Sequence, residues 1–187
     1  QFAEVTRAEV WALLEDVEKR KFQNILADEI LLPIGMANST FHSVPSSTQF
    51  KSIATGHLSK NIPIEGKYYR IRPQSSGGLW STPTDLARLI ILVQKSRKSD
   101  TNEIVSKDNA MLMTTPVMAS YGLGFSNEIR GTGVRFFGHD GHNIGYICSM
   151  IGSLDNGFGV VVMTNSENGW KAVNKIKKLV GRKFWGF

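Results

Sequence analysis

The sequence predicts an α+β fold in which helices cover one antiparallel sheet. Helix-type spacing of apolar residues dominates the first part of the chain, and short apolar runs typical of strands dominate the later part. Asn156-Gly157 separates two such runs, which is the strongest short hairpin signal that a sequence gives. We therefore expect one domain over residues 1–187, with helices and an irregular layer in 1–116 and antiparallel strands with a final helix in 117–187.

Composition describes an ordinary globular chain of 187 residues, with 41% hydrophobic and 20% charged residues. No apolar run approaches the roughly 18–20 residues of a membrane span, so we expect no span. The single cysteine, Cys148, cannot form an internal disulfide, and we interpret it as a small buried hydrophobe. Gln1–Val5 lacks the order of a signal peptide and an initiator Met, which favours a processed, trimmed or fragmentary chain.

Residues 5–31 predict one or two amphipathic helices with a break near Lys19–Lys21. Pro33 and Gly35 end this pattern. The first apolar stripe consists of Val5, Val10, Trp11, Leu13, Leu14 and Val17. We expect this stripe to face the core.

Residues 34–80 have little periodicity and are rich in Ser, Thr, Pro and Gly. A loop of this length is uncommon unless it is functional or packed as an irregular layer. We expect short strands only near Ile53–Thr55 and Tyr68–Ile71.

A sharp helix start follows at Thr82, a good N-cap, with Pro83 at the first helical position and Asp85 where a capping-box acid would lie. This helix is predicted to reach about Lys95. Ser106 is predicted to cap a further helix that ends before Pro116.

Roughly four strands and a helix are expected in the last third. The strand regions are predicted at Tyr121–Phe125, Val134–His139, Ile147–Leu154 and Gly157–Asn165, with a turn at Gly131–Gly133. Trp170–Val180 is predicted to be an amphipathic helix in a basic segment. A basic helix is compatible with nucleic acid or an anionic envelope surface, but cations are also favourable near a helix C-terminus. We interpret the segment as a solvated helix face and expect no nucleic-acid partner, although the chain carries a net charge of +6.

Gly138–Gly145 contains two histidines, an aspartate and three glycines, which suggests a polar lip that something approaches closely. His139 and His142 are three residues apart, so on a strand they face opposite sides. No other His or Cys has ligand-like spacing. We expect no metal site and no cofactor.

Six segments, in this order, resemble the C-terminal half of the serine β-lactamase and penicillin-binding-protein-like hydrolases, especially the class C type and its esterase and D-aminopeptidase relatives. The segments are Leu32–Met36, Ala54–His57, Pro73–Ala87, Tyr121–Phe125, Gly138–Tyr146 and Val160–Asn165. The resemblance covers roughly residues 5–170. It implies a β-lactamase/transpeptidase-like fold that is incomplete, because the family's first strands and nucleophile helix precede these segments.

The resemblance places His139-Asp140-Gly141 at the family's Lys-Thr-Gly or His-x-Gly box, on the strand that borders the active site. It implies that His139 shapes the electrostatics around a nucleophile and contacts a substrate carboxylate. Asp140 and Gly141 would contact substrate, since a glycine lets substrate lie against the strand. The backbone N–H of His142 would be one of two oxyanion-hole donors.

The family's nucleophile box, Ser-x-x-Lys, and its Tyr-x-Asn box do not occur in the sequence. Without a nucleophile and its base, covalent acyl transfer has no route, so we expect this chain alone to be inactive. The alternative is a non-catalytic binding or regulatory module, or a truncated remnant, on the same fold. A reading frame upstream of Gln1 that encodes Ser-x-x-Lys would favour part of an enzyme, whereas a start codon there would favour the alternative.

Partners follow from the same resemblance. A completed site would take a small-molecule or peptide-like acyl substrate, and the family context implies a periplasmic or secreted location. A sheet without the family's first strands would expose an edge, and we expect self-association through it.

Overall fold

A computed structural model describes residues 2–42, 46–70, 77–99, 104–131 and 133–185. Within these ranges the helices are α1 (Phe2–Glu18), α2 (Phe22–Leu26, continued by a π turn at Ala27–Leu31), α3 (Ser47–Ser52), a 3-10 turn (Ser59–Asn61), α4 (Pro83–Ser96), α5 (Lys107–Met113) and α6 (Trp170–Val180, continued by a π turn at Gly181–Trp185). The strands are β1 (Ser126–Arg130), β2 (Val134–Asn143), β3 (Tyr146–Ser153) and β4 (Gly159–Thr164).

The four strands form one antiparallel sheet in the order β1-β2-β3-β4. This arrangement confirms the predicted fold class. Phe137 packs with Ile90 and Val93 of α4 on one face. Phe136 and Ile151 pack with Val180 at the end of α6 on the other face. The sheet therefore lies between two helices, as expected for a sheet with two apolar faces.

The N-terminal helices agree with the sequence in their bounds but not in their burial. The predicted break is present, with Lys19 at a φ of 52° between α1 and α2. Val10, Leu13 and Val17 are 50%, 62% and 68% exposed, so these three members of the expected core stripe are not covered by the described residues, whereas Trp11 and Leu14 are half-buried. The side chain of Val5 lies outside the described part.

The irregular layer contains a helix that the sequence analysis missed. Ser46 accepts a hydrogen bond from the Gln49 N–H (3.2 Å) while Gln49 Oε1 accepts one from the Ser46 N–H (2.9 Å), which starts α3. The Ser-x-x-Gln pattern was a usable signal. The expected strands at Ile53–Thr55 and Tyr68–Arg70 are absent: the described residues of the irregular layer form single bridges, at Thr40 and His57, instead of ladders. Ile71 lies outside the described residues.

Two further elements differ in detail. β1 begins at Ser126 and not at Tyr121, because Gly124 takes a φ of 91° and the Gly122 N–H bonds to Phe125 O (2.9 Å), which makes a turn. β2 extends past His139 to Asn143 and turns into β3 through Ile144-Gly145. The helix starts at Thr82 and Ser106 are confirmed, since each side chain accepts a backbone N–H at 3.2 Å. Thr132 of the predicted turn and residues 73–76 of the third segment lie outside the described ranges.

Candidate functional site

The family-like segments, although far apart in sequence, meet around the β2–β3 turn. Asn143 Nδ2 donates to Gly77 O (3.0 Å), and the Tyr146 hydroxyl lies 2.8 Å from both Ala54 O and Lys67 O. A Cβ at Gly56 would lie 2.7 Å from the Tyr146 ring, so only glycine fits there. Burial raises the pKa of Tyr146, which keeps its hydroxyl a donor.

A second set of contacts joins the irregular layer to β4 and α4. The His57 N–H donates to Asn165 O (3.0 Å), and Asn165 Nδ2 donates to Thr55 O (2.8 Å). Asp85, with no exposed surface, accepts from the Asn38 N–H (2.8 Å).

Asp85 does not act as the predicted capping-box acid. It also accepts from Ser39 Oγ (2.8 Å) and from Arg88 Nη1 (2.7 Å), so it binds the turn after Met36. Aspartate side chains commonly satisfy backbone donors of a turn in this way. These contacts fix the layer that lies beside the hairpin.

The two faces of β2 separate the residues of the predicted box. Alternation along a strand places His139, Gly141 and Asn143 on the α4 face with Phe137. His139 is half-buried there. The side chains of Asp140 and His142 are on the α6 face. His139 and His142 therefore lie on opposite faces of the sheet, as predicted.

The direction in which each β2 residue hydrogen-bonds follows from two contacts. The Leu154 N–H donates to Arg135 O (2.9 Å), so Arg135 bonds toward β3. The Asn127 N–H donates to Ser120 O (2.6 Å), on the side of β1 away from β2. Because the direction alternates along an antiparallel strand, odd-numbered β2 residues bond toward β3 and even-numbered ones point toward the opposite edge.

This edge is only half covered by β1. The register of β1 with β2 ends at the pair Ser126↔Gly138, where Ser126 Oγ also donates to Gly138 O (3.0 Å). Among the described residues, no strand continues beside Asp140–Asn143. The N–H groups of Asp140 and His142 therefore point toward an open edge.

Asp140 is held by a polar network on the α6 face. Ser149, directly opposite on β3, donates a hydrogen bond to Asp140 Oδ1. Lys177 Nζ of α6 lies 3.1 Å from Ser149 Oγ and 3.8 Å from Asp140 Oδ1. Sequence analysis missed both partners; the only signals were a polar residue inside an apolar strand run and one lysine among several on α6.

Cys148 lies beneath the box, opposite Gly141 in the β2–β3 register. Burial, with the nearby Asp140 carboxylate, raises the pKa of the Cys148 thiol, so it stays protonated at neutral pH. Among the described residues, no group of three or more His, Cys, Asp or Glu side chains is placed to hold a metal ion.

A family model, Beta-lactamase, matches residues 10–180. The chain therefore belongs to the β-lactamase family, and the resemblance to penicillin-binding-protein-like serine hydrolases is confirmed. No curated protein matches significantly in sequence. No helix in the described part of the chain is long and apolar enough to cross a membrane.

Solved structures with this fold include an octameric penicillin-binding protein homologue from Pyrococcus abyssi, with a TM-score of 0.70 and 22% identity over 91% of this chain. A structure of SurE with D-Leu matches with a TM-score of 0.76 and 21% identity over 96% of this chain. D-amino acid amidase from Ochrobactrum anthropi SV3 matches with a TM-score of 0.67 and 16% identity over 88% of this chain. This chain spans 40%, 42% and 51% of those chains respectively. At these identities the likeness shows the fold.

Proposed function

We propose that this chain forms the His-Asp-Gly wall of a serine-hydrolase site for an acyl substrate: a β-lactam, a D-amino-acid peptide or an ester. The supporting observation is the open edge at Asp140–Asn143, toward which the His142 N–H points. A fixed backbone donor at such an edge suits the oxyanion that develops in acyl transfer. An extended, peptide-like substrate also suits pairing with an open strand edge. The names of the relatives with D-amino-acid ligands or substrates point to the same class.

We further propose that the chain alone binds such compounds without turning them over. Ser-x-x-Lys and Tyr-x-Asn are absent from the 187 residues. Cys148 offers no substitute nucleophile, because burial raises its pKa. A nucleophile and its base act as a unit, so one wall of the site cannot carry the covalent step.

Two matched variants test the wall. His142→Pro deletes the outward N–H, and an edge strand tolerates a proline at a position whose N–H points outward. His142→Ala keeps this N–H. Backbone NMR of the 187-residue chain, titrated with N-acetyl-D-alanyl-D-alanine, should show saturable shifts at Asp140–Asn143 in the wild type and in the alanine variant, and none in the proline variant. Binding that is unchanged in the proline variant, or wild-type shifts elsewhere only, would overturn the wall. Incubation with a fluorescent penicillin should leave the chain unlabelled, and stoichiometric labelling would contradict the proposed inactivity.

Self-association is proposed at the other end of the sheet. β4 is the last strand of the described sheet, and its sequence is Gly-Val-Val-Val-Met-Thr without a charge. Ile91 of α4 and Leu179 of α6, on the helices that cover the two faces, are 47% and 54% exposed. An uncharged edge strand between exposed apolar side chains favours pairing with another chain. Light scattering should give a concentration-dependent mass that falls in Met163→Lys, at an exposed position of β4, and a stable monomer at high concentration would contradict this.

A further inference from the structure

Within the described part of the chain, the second half of β2, from Asp140 to Asn143, is paired with a strand on one edge only. β3 pairs with it through the register Asp140↔Ser149 to Asn143↔Tyr146, whereas β1 pairs with nothing beyond Gly138. Gly141, in the middle of this half, has more backbone freedom than any other residue type. A half-strand of this kind needs a further restraint if its outward N–H groups are to keep a fixed direction.

The Asp140–Ser149–Lys177 network is the contact from α6 to this half-strand. Ser149 is 2% exposed and lies between the other two side chains, as donor to Asp140 and as acceptor from Lys177. The Lys177 side chain is 15% exposed and that of Asp140 is 53% exposed. Bonds to charged groups are stronger than bonds between neutral groups, so the network resists opening.

A serine beside a lysine also raises the question of a second nucleophile, and the geometry answers against it. The Ser149 hydroxyl is enclosed, and its proton is already donated to a carboxylate. Lys177 Nζ donates to the same Ser149 oxygen (3.1 Å) and lies 3.8 Å from the carboxylate, so it is placed as a donor and not as the acceptor of the Ser149 proton. A nucleophile needs both access and a base that takes its proton, so the cluster has a different role.

A solvated, purely electrostatic role is also disfavoured. Exposed ion pairs contribute little, but Lys177 is the residue of α6 whose ammonium reaches across β3 to β2. Lys178, its neighbour, is exposed. Lys177 therefore makes a directed contact with β2 and β3, whereas Lys178 belongs to the solvated basic face of α6.

We propose that Lys177 and Ser149 are positioning residues for the His-Asp-Gly box. They hold the Asp140 side chain on the α6 face, and so fix the backbone on either side of Gly141, including the direction of the His142 N–H. This inference rests on the proposed function, because only an oxyanion or substrate contact at His142 requires that direction. It extends that function by assigning two residues outside the box, on β3 and α6, to the geometry of the edge.

Hydrogen exchange of the 187-residue chain, followed amide by amide by NMR, tests the positioning. Lys177→Met should raise the exchange rates of the Gly141 and Asn143 amides, whose N–H groups bond toward β3, by about tenfold or more, while the amides of α4 and β4 change no more than global stability predicts. Lys177→Arg should recover most of the protection, because it restores a donor and a charge. Lys178→Met is the matched control and should change nothing locally.

Asp140→Asn provides a second route if the lysine variant folds poorly, since it removes the charge at the more exposed end of the network. Its local effect should match that of Lys177→Met, and the double variant should add little to either. Uniform loss of protection across the sheet, or equal effects of Lys177→Met and Lys178→Met, would overturn the proposal.

The ligand titration separates this inference from the function on which it rests. If the wild type binds N-acetyl-D-alanyl-D-alanine, Lys177→Met should weaken the affinity by about tenfold and Lys177→Arg by less, as expected when a binding group loses its preorganisation. If the wild type binds nothing but the local exchange effect is present, the proposed function fails and the restraint on the strand stands. Unchanged affinity in Lys177→Met would show that the network does not position the box.

Discussion

Gly141 and the thiol of Cys148 face each other across the β2–β3 ladder, and a Cβ placed on Gly141 would lie 2.6 Å from Cys148 Sγ. From the sequence, Gly141 was expected to lack a side chain so that substrate could lie against the strand. The structure adds a packing reason, because the thiol already occupies the space that a side chain would need.

Gly141→Ala should therefore destabilise the fold by about 1–3 kcal/mol, the usual range for overpacking. Chemical denaturation measures the change. In a Cys148→Ala background the same substitution should cost clearly less, because Sγ is gone. A cost that is equal in both backgrounds would show that the thiol is not the obstacle.

Asp85→Ala should destabilise the chain by about 1–3 kcal/mol, since it leaves the donors of Asn38 and Ser39 without their acceptor in a part-buried site. Asp108→Ala is the control, because Asp108 lies in the first turn of α5 but is exposed. Urea midpoints of the two variants should differ clearly. Similar midpoints would reduce Asp85 to a helix-dipole effect.

Tyr146→Phe should cost about 0.5–1.5 kcal/mol, because it removes the hydroxyl that joins the β2–β3 turn to Ala54 O and Lys67 O. The loss should appear as faster exchange of amides in residues 54–67. Tyr69→Phe, at a side chain that is 50% exposed, should change neither quantity. Protection that persists in Tyr146→Phe would mean that other contacts hold the layer.

Asp155 gives a prediction about pH. Hydrogen bonds from Arg135 lower the pKa of Asp155 below the ordinary value of an aspartate. A carboxylate with a lowered folded-state pKa stabilises the fold above its unfolded pKa, and this stabilisation disappears as the pH falls through the folded value.

Asp155→Asn should accordingly cost about 0.2–1 kcal/mol at pH 7, a magnitude limited by solvent exposure of the pair, and nothing once the wild-type carboxyl is protonated. Thermal melts of wild type and variant should converge as the pH is lowered below about 3. Asp16→Asn, at an exposed position of α1, is the comparison. Melting curves that keep a constant separation at all pH values would exclude the ion pair as the cause.

The sequence predicted the elements whose signals are local. Thr82, Ser106 and Asn156-Gly157 each determine a cap or turn through contacts within a few residues, and each was confirmed. The α6 bounds were also correct, because its apolar spacing and the preceding turn are local features.

The missed features depend on contacts between distant segments. The exposure of Leu13 is decided by what packs on α1 and not by the pattern of α1 itself. The partner of Asp140 lies on a helix that begins thirty positions later in the chain, and nothing in the composition of that helix distinguishes Lys177 from Lys178. The His-Asp-Gly box was predicted from a resemblance, whereas Ser149 and Lys177 beside it became visible only in the side-chain contacts of the structure.

The contact between Lys177 and Asp140 limits how the positive charge of this chain can be reduced to lower its nonspecific binding. Shortening the C-terminus after Val180 removes Arg182 and Lys183 and leaves the counter-charge of Asp140 in place. A cut before Lys177, or neutralisation of every lysine on α6, would also strip the ammonium group from behind the sheet. Charge engineering of this tail should therefore spare one position and treat the exposed lysines as expendable.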